Sequence, residues 1–316
     1  MYIKRTVKIL SFLLGLLLLI CATSALFIPK NNSKEAGMEE HLANGVLGEA
    51  TNTVDVIILG DSEAYSSFSP MQIWQNTGYT SYVCSSPVQT LDYTLTLLQR
   101  AFENQKPKIV FIETLAVIRT VHKSSVFESE LAKIFPVFTY HNRWKSLQAN
   151  DWFTSPEYTW TDYKKGYRYY PKVDGTDNTD YMHPTTAAAD LSSVNVDLVK
   201  DIYELCEENG AKLVFISSPS KKNWNYKRHN AIESLAKVIG CEYIDMNLEN
   251  DTIGIDWTKD TRDKGDHINH SGAVKATKYL SDYLVKTGLL TDHRNDEAYK
   301  SWDDALEKYL KETSTK

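Results

Sequence analysis

Cysteine is scarce in this chain: four occur in 316 residues, at positions 21, 84, 206 and 241. Their spacings match neither a zinc-binding pattern nor a disulfide framework. Cys21 falls within an apolar N-terminal run, so of the remaining three at least one is unpaired. Buried free thiols are the expected state, with a Cys206–Cys241 bridge as the alternative. Positive charge is also short, with 35 Lys and Arg against 41 Asp and Glu and a formal net charge of −6. That balance argues against a general nucleic-acid binder and is indifferent to a neutral sugar or an acyl ester. Internal repeats and low-complexity runs are absent, which excludes solenoids and other repeat arrays. What remains is 42% hydrophobic and 24% charged, ordinary for a globular protein. It is long enough for one large α/β domain with a substantial core.

One long hydrophobic run is present. Lys4, Arg5 and Lys8 precede an apolar stretch from Ile9 to Ile28, interrupted only by small or weakly polar residues. About 20 residues suffice for a helix to cross the hydrocarbon layer. The basic flank puts the N-terminus in the cytoplasm and the rest outside. Residues 1–29 therefore read as a single-pass membrane anchor, with a cleaved signal peptide (small residues near Ala22-Thr23-Ser24) as the alternative. Lipoprotein processing at Cys21 is disfavoured by the bulky Ile20. Residues 30–52 are polar and aperiodic and read as a tether.

From residue 53 to 290, buried-strand runs alternate with helical patterns. Val54–Leu59, Tyr79–Val83, Pro107–Ile112, Lys212–Ile216 and Glu242–Asp245 read as strands. Leu91–Glu103, Val194–Cys206, Asn230–Ile239 and Ser271–Lys286 read as helices, three of them followed by a glycine or Asn-Gly stop. The alternation implies an α/β fold, a three-layer α/β/α sandwich around a mostly parallel sheet of about five strands. Residues 117–190 break the pattern, are rich in Trp and Tyr, and read as an insertion forming a lid or cleft wall. Residues 291–316 hold an amphipathic C-terminal helix (Ala298, Trp302, Ala305, Leu306, Tyr309, Leu310).

Ligands bind at the carboxyl ends of such strands, and two polar segments begin there. Leu59-Gly60-Asp61-Ser62 follows the first strand; a serine there presents its hydroxyl at the sheet edge, beside amides suited to an oxyanion. As a bare turn with a helix cap the same tripeptide is structural. Asp260 to Ala273 is the second segment, a polar loop after the last strand that contains Asp263, Asp266, His267, Asn269 and His270. A serine hydroxyl needs a neutral imidazole within reach, and the imidazole needs a carboxylate to fix its tautomer. The loop offers both. A divalent-metal site at Asp263, Asp266, His267 and His270 is the competing chemistry, and an acidic capping loop with a surface histidine is the bland one.

Taken together the two segments resemble the SGNH/GDSL hydrolase superfamily. Gly60-Asp61-Ser62 matches its first block, and His267, Asn269 and Gly272 match its last, in which an Asp stands three residues before the histidine. Lys264 occupies that place here. Asp263 is favoured as the third member because it can reach the imidazole across a tight Lys264-Gly265 turn, with Asp266 as the alternative. The resemblance implies a flavodoxin-like sandwich and an oxyanion hole made with the Ser62 amide. The family's glycine and asparagine donors are not clearly present, and Ser85 (or Ser86) and Gln89, after the second strand, are the substitutes. These departures are similar to a membrane-tethered branch that includes the teichoic acid D-alanylation and alginate O-acetylation proteins. That likeness implies an extracytoplasmic esterase or O-acyltransferase. It would need no cofactor or metal, would act on a cell-envelope glycopolymer or acylated sugar, and would have a polytopic membrane acyltransferase as a partner. The other implied role is a catalytically weak binding or assembly protein. Two further groups are read as substrate-binding: His141, Arg143 and Trp144 for a sugar ring or phosphate, and Trp224 in the polar stretch after the Lys212–Ile216 strand, with Asn269 beside the catalytic histidine.

Overall fold

The computed structural model describes residues 2–314. Its elements are α1 (Tyr2–Phe27), β1 (Val56–Gly60), α2 (Ser62–Ser67), α3 (Pro70–Thr77), β2 (Ser81–Ser85), α4 (Leu91–Asn104), β3 (Ile109–Glu113), α5 (Lys123–Ile134), α6 (Ser193–Glu208), β4 (Lys212–Ser217), α7 (Tyr226–Ile239), β5 (Glu242–Asp245), α8 (His270–Thr287) and α9 (Lys300–Ser314). All strand pairs are parallel, in the order β2-β1-β3-β4-β5. This is the flavodoxin-like doubly wound order, whose switch point lies between β1 and β3. Every residue of β1, β2 and β3 is buried, as continuous apolar runs demand when helices cover both faces. Helices α4, α6 and α7 pack as one layer, and α2, α3, α8 and α9 as the other. The three-layer sandwich read from the sequence is thus the observed fold.

Glycine is required at the end of β1. A Cβ on Gly60, at φ 153°, would stand 2.6 Å from the Glu113 Cβ and 3.1 Å from that of Ala64. The close approach of β1, β3 and α2 at that point sets where Ser62 emerges.

Residues 30–52 are not a free tether. Met38, Ala43, Val46 and Leu47 are buried in the core, and Asn32 is fully buried. The Asn32 amide donates to the Asn44 and Trp160 carbonyls at 3.0 and 2.6 Å and its oxygen accepts from the Trp160 N–H at 2.9 Å. Polar residues thus knit the segment onto the domain. Helix α1 is apolar and long enough to cross a membrane; a signal sequence shares those features.

The 117–190 region has two parts. Up to Trp152 it is helical: α5, the single turn Val137–Tyr140, and the 3-10 turns His141–Lys145 and Ala149–Trp152. Beyond, it is an irregular strap along the carboxyl edge of the sheet. Its backbone bonds β2 (Val83 N–H to Lys165 O, 2.9 Å), α2 (Arg168 N–H to Tyr65 O, 2.9 Å) and the start of α8 (His270 N–H to Tyr170 O, 2.8 Å). The first of these contacts covers an edge strand, which otherwise presents unpaired backbone groups. All four cysteines are free, and Cys84 and Cys206 are buried. Burial pushes the Cys206 thiol up to about 12 and that of Cys241 to about 11, so neither is a ready nucleophile.

Candidate active site

Ser62 is the first residue of α2, one step past the β1 turn, so its amide is among those an α-helix leaves without an intrahelical partner. Asp61 caps the helix by accepting the Glu63 N–H at 3.0 Å. Its other oxygen takes Nε and Nη2 of Arg119 at 2.9 and 2.7 Å. A fully buried carboxylate is thereby paired, which fixes the turn carrying Ser62.

The loop before α8 brings His267 to Ser62. Thr261 and Ile268 form an antiparallel bridge. Between them Lys264 (φ 61°) and Gly265 (φ 86°) are both left-handed, the signature of a type I′ turn. That turn folds Asp263 back over His267, with its Oδ1 accepting the His267 backbone N–H at 2.7 Å and its Oδ2 meeting Nδ1 at 2.7 Å. On the other side of the ring Nε2 lies 2.8 Å from the Ser62 Oγ. An ionised Asp263 only accepts, so Nδ1 carries the proton and Nε2 is free to take the serine's. Burial alone would raise the Asp263 carboxyl. The two bonds from His267, its charge and that of Arg262 outweigh burial and hold it below the ordinary value. The Asp266 carboxylate stands 3.8 Å from Nδ1 and accepts the Asn223 amide instead.

Other residues read as functional are located elsewhere. Gln89 is buried with both ends of its amide engaged, accepting from the Ser86 hydroxyl at 3.0 Å and donating to Thr94 Oγ1 at 3.0 Å. Its second N–H donates to the Cys84 carbonyl at 3.4 Å, which leaves no spare donor for an oxyanion. Ser85 ends β2 opposite Gly60, and its Oγ is buried with no partner among the described residues. Asn269 caps α8, accepting the Gly272 N–H at 3.2 Å and donating to the Lys259 carbonyl at 2.7 Å. It holds the histidine loop rather than a ligand. Trp224 is 3% exposed, with its indole N–H on Asp245 at 2.9 Å, so no ligand reaches it.

Arg143 is buried and bonded to the Leu26 and Ala36 carbonyls and to Asp151, each at 2.8 Å. His141 and Trp144 are exposed in the same turn, which packs on the end of α1 and not on the triad. His270 is enclosed by Tyr167, Tyr169 and Tyr309. Among the described residues, the metal-type grouping that comes together is Glu63, Asp266 and His267, not the set read from the loop.

Several residues around Ser62 carried no motif. The Arg262 guanidinium stacks 3.8 Å from the Tyr170 ring centre and donates to Ser66 Oγ at 2.9 Å. Arg168 stacks 4.0 Å from that of Tyr65. Arg228 lies near enough to Arg119 that burial first, and then the like charge, lower its proton affinity. Arginines thus gather about α2. Glu63 is buried next to Ser62; desolvation, then the neighbouring Glu113 and Asp61 charges, push its carboxyl well up. Its Oε1 accepts from Asn223 at 2.8 Å. Position after a strand end was the available signal for both Arg119 and Glu63.

The geometry is that of a Ser–His–Asp hydrogen-bonded triad on a doubly wound α/β sheet, which defines a class of protein but not an individual one. No protein-family model matches the chain, and no curated protein matches it. Solved structures similar to it include a lipase/acylhydrolase from Enterococcus faecalis, at 11% identity over 76% of this chain and 98% of that one, TM-score 0.38. A GDSL-like lipase from Bacteroides thetaiotaomicron shows 12% identity over 73% and 88%, TM-score 0.36. An acetyl xylan esterase shows 14% over 73% and 98%, TM-score 0.36.

Proposed function

We propose that this protein is a membrane-anchored, extracytoplasmic serine enzyme of acyl esters, working on an acylated cell-envelope glycopolymer by O-acyl transfer or hydrolysis. The observation that carries the reading is the continuous line from Ser62 Oγ through both ring nitrogens of His267 to Asp263, at 2.8 and 2.7 Å. Ser62 Oγ attacks the ester carbonyl carbon while its proton passes to Nε2. Asp263 holds the imidazolium through Nδ1–H, and the Ser62 amide faces the oxyanion. Nε2–H then protonates the leaving alcohol. In the second half-reaction water or a sugar hydroxyl gives its proton to Nε2 and attacks the acyl carbon; the acyl–Oγ bond breaks and Nε2–H returns its proton to Ser62 Oγ. The arginines about α2 support an anionic polymer as the substrate's carrier.

Ser62→Ala is expected to abolish p-nitrophenyl acetate turnover and fluorophosphonate labelling; a variant that keeps both removes Ser62 as the nucleophile. A second reading, an envelope-polymer binding or assembly protein with weak turnover, is favoured by the engaged Gln89 amide. Loss of one oxyanion donor costs about 10²–10³ in rate. Wild-type protein that fails to label supports that second reading.

A further inference from the structure

The end of α1 is fastened to the domain. Residues 3–22 are exposed apart from half-buried Ile20, whereas residues 23–30 are mostly half-buried or buried against the protein. The apolar run from Ile9 to Ile28, about 20 residues, makes roughly 30 Å of helix, the thickness of a hydrocarbon layer. Whatever packs on its last turns therefore sits at the outer boundary between acyl chains and headgroups.

What packs there are the turns Val137–Tyr140, His141–Lys145 and Ala149–Trp152. The buried Arg143 binds them to α1 through the Leu26 carbonyl. These turns carry Phe138, Trp144 (63% exposed) and Trp152 (60%), and Phe153 (87%) follows them. Helix α5 leads into the same turns and has no buried residue, although it contains Phe127 and Ile134, both about two-thirds exposed. The Lys145 ammonium lies 5.7 Å from the Trp144 ring centre, so cationic and aromatic groups are interleaved. Exposed Trp and Phe with Lys, beside the end of a spanning helix, is the composition of a membrane-interface belt.

We propose that the face formed by residues 134–153 rests in the outer headgroup region of a phospholipid bilayer and sets the orientation of the domain over the membrane. This rests on α1 being a retained anchor. The ligand is the bilayer itself, with Trp144, Trp152 and Phe153 inserted at the level of the acyl-chain boundary and Lys145 toward lipid phosphates.

The test uses the full chain in nanodiscs of phosphatidylcholine and phosphatidylglycerol, made with or without phosphatidylcholine brominated near the top of its acyl chains. Of the seven tryptophans, Trp74, Trp224, Trp257 and Trp302 are buried. Brominated lipid is expected to quench part of the fluorescence. The Trp144→Phe/Trp152→Phe double variant should lose that quenched part, and Trp224→Phe should keep it. Unchanged melting temperature of the double variant guards against a folding defect.

Intact mass separates the two levels of the argument. A mature chain cut at or beyond Ala22-Thr23-Ser24 removes the anchor and this proposal with it. A chain that is intact in the disc but unquenched, or quenched equally in the double variant, keeps the anchor and overturns the bilayer face. A protein partner that normally covers the patch would give that second result in pure lipid.

Discussion

Asp263 and Glu63 flank the same imidazole with opposite electrostatics. Asp263 is held ionised by His267 and Arg262, so it fixes the tautomer. Asp263→Asn is expected to lower kcat/KM for p-nitrophenyl acetate by roughly 10³–10⁴-fold, the scale of losing the correct tautomer. Asp266→Asn should cost far less, and comparable losses in the two variants would reopen the assignment between them. Glu63 runs the other way, because burial raises its carboxyl well above the ordinary 4.5. The folded protein keeps that proton over a range where the unfolded chain has released it. The contribution is therefore full below about pH 4.5 and is lost as pH rises toward the raised value. Glu63→Gln mimics the protonated acid and keeps an acceptor for Asn223. The melting temperature of wild type relative to Glu63→Gln should fall between about pH 4.5 and neutrality. A constant difference across that range would show that Glu63 is not protonated in the fold.

At the scale of elements, the turn 263–266 decides whether His267 and Asp263 meet. Gly265 is left-handed, and an added Cβ would stand 2.9 Å from the Lys221 Cβ. Gly265→Ala is expected to cost about 1 kcal/mol or more in stability. It should also lower kcat/KM by displacing Asp263, measured by denaturant unfolding beside kinetics; Lys264→Gly, which relieves φ 61°, should do neither. The strands, α4 and α6 to α9 were legible in the sequence because burial on both sheet faces leaves unbroken apolar runs and amphipathic helices leave a stripe. Ser62 and His267 were legible because each follows a strand end in a short polar motif. The packed segment 30–52 was not, since Asn32 and Asn44 enter the interior by pairing with backbone groups, and composition cannot reveal such partners. Trp224 and Arg143 misled for a related reason. An indole or guanidinium near a loop looks like a ligand handle until its buried carboxylate, Asp245 or Asp151, is seen.

Across the whole molecule, three distant stretches converge on Lys165. Its ammonium pairs with Glu49 at 2.7 Å, both side chains 3% exposed, and lies 4.7 Å from the Trp302 ring centre. Glu49 ends the segment that descends from α1, Lys165 belongs to the strap over the sheet edge, and Trp302 is the buried face of α9 against Trp74. Breaking one partner of a buried pair leaves the other charge uncompensated, at about 3–5 kcal/mol. Lys165→Met and Glu49→Gln are each expected to destabilise on that scale in detergent-solubilised full chain. Together they should cost less than the sum of the singles, because no lone charge remains. Since the Lys165 carbonyl also holds β2 through Val83, the single variants should loosen the carboxyl edge where Ser62 and His267 meet, and kcat should fall as stability does. Additive losses would mean that the two side chains are not coupled, and single variants that unfold in two separate transitions would mean that segment 30–52 and the sandwich are independent bodies.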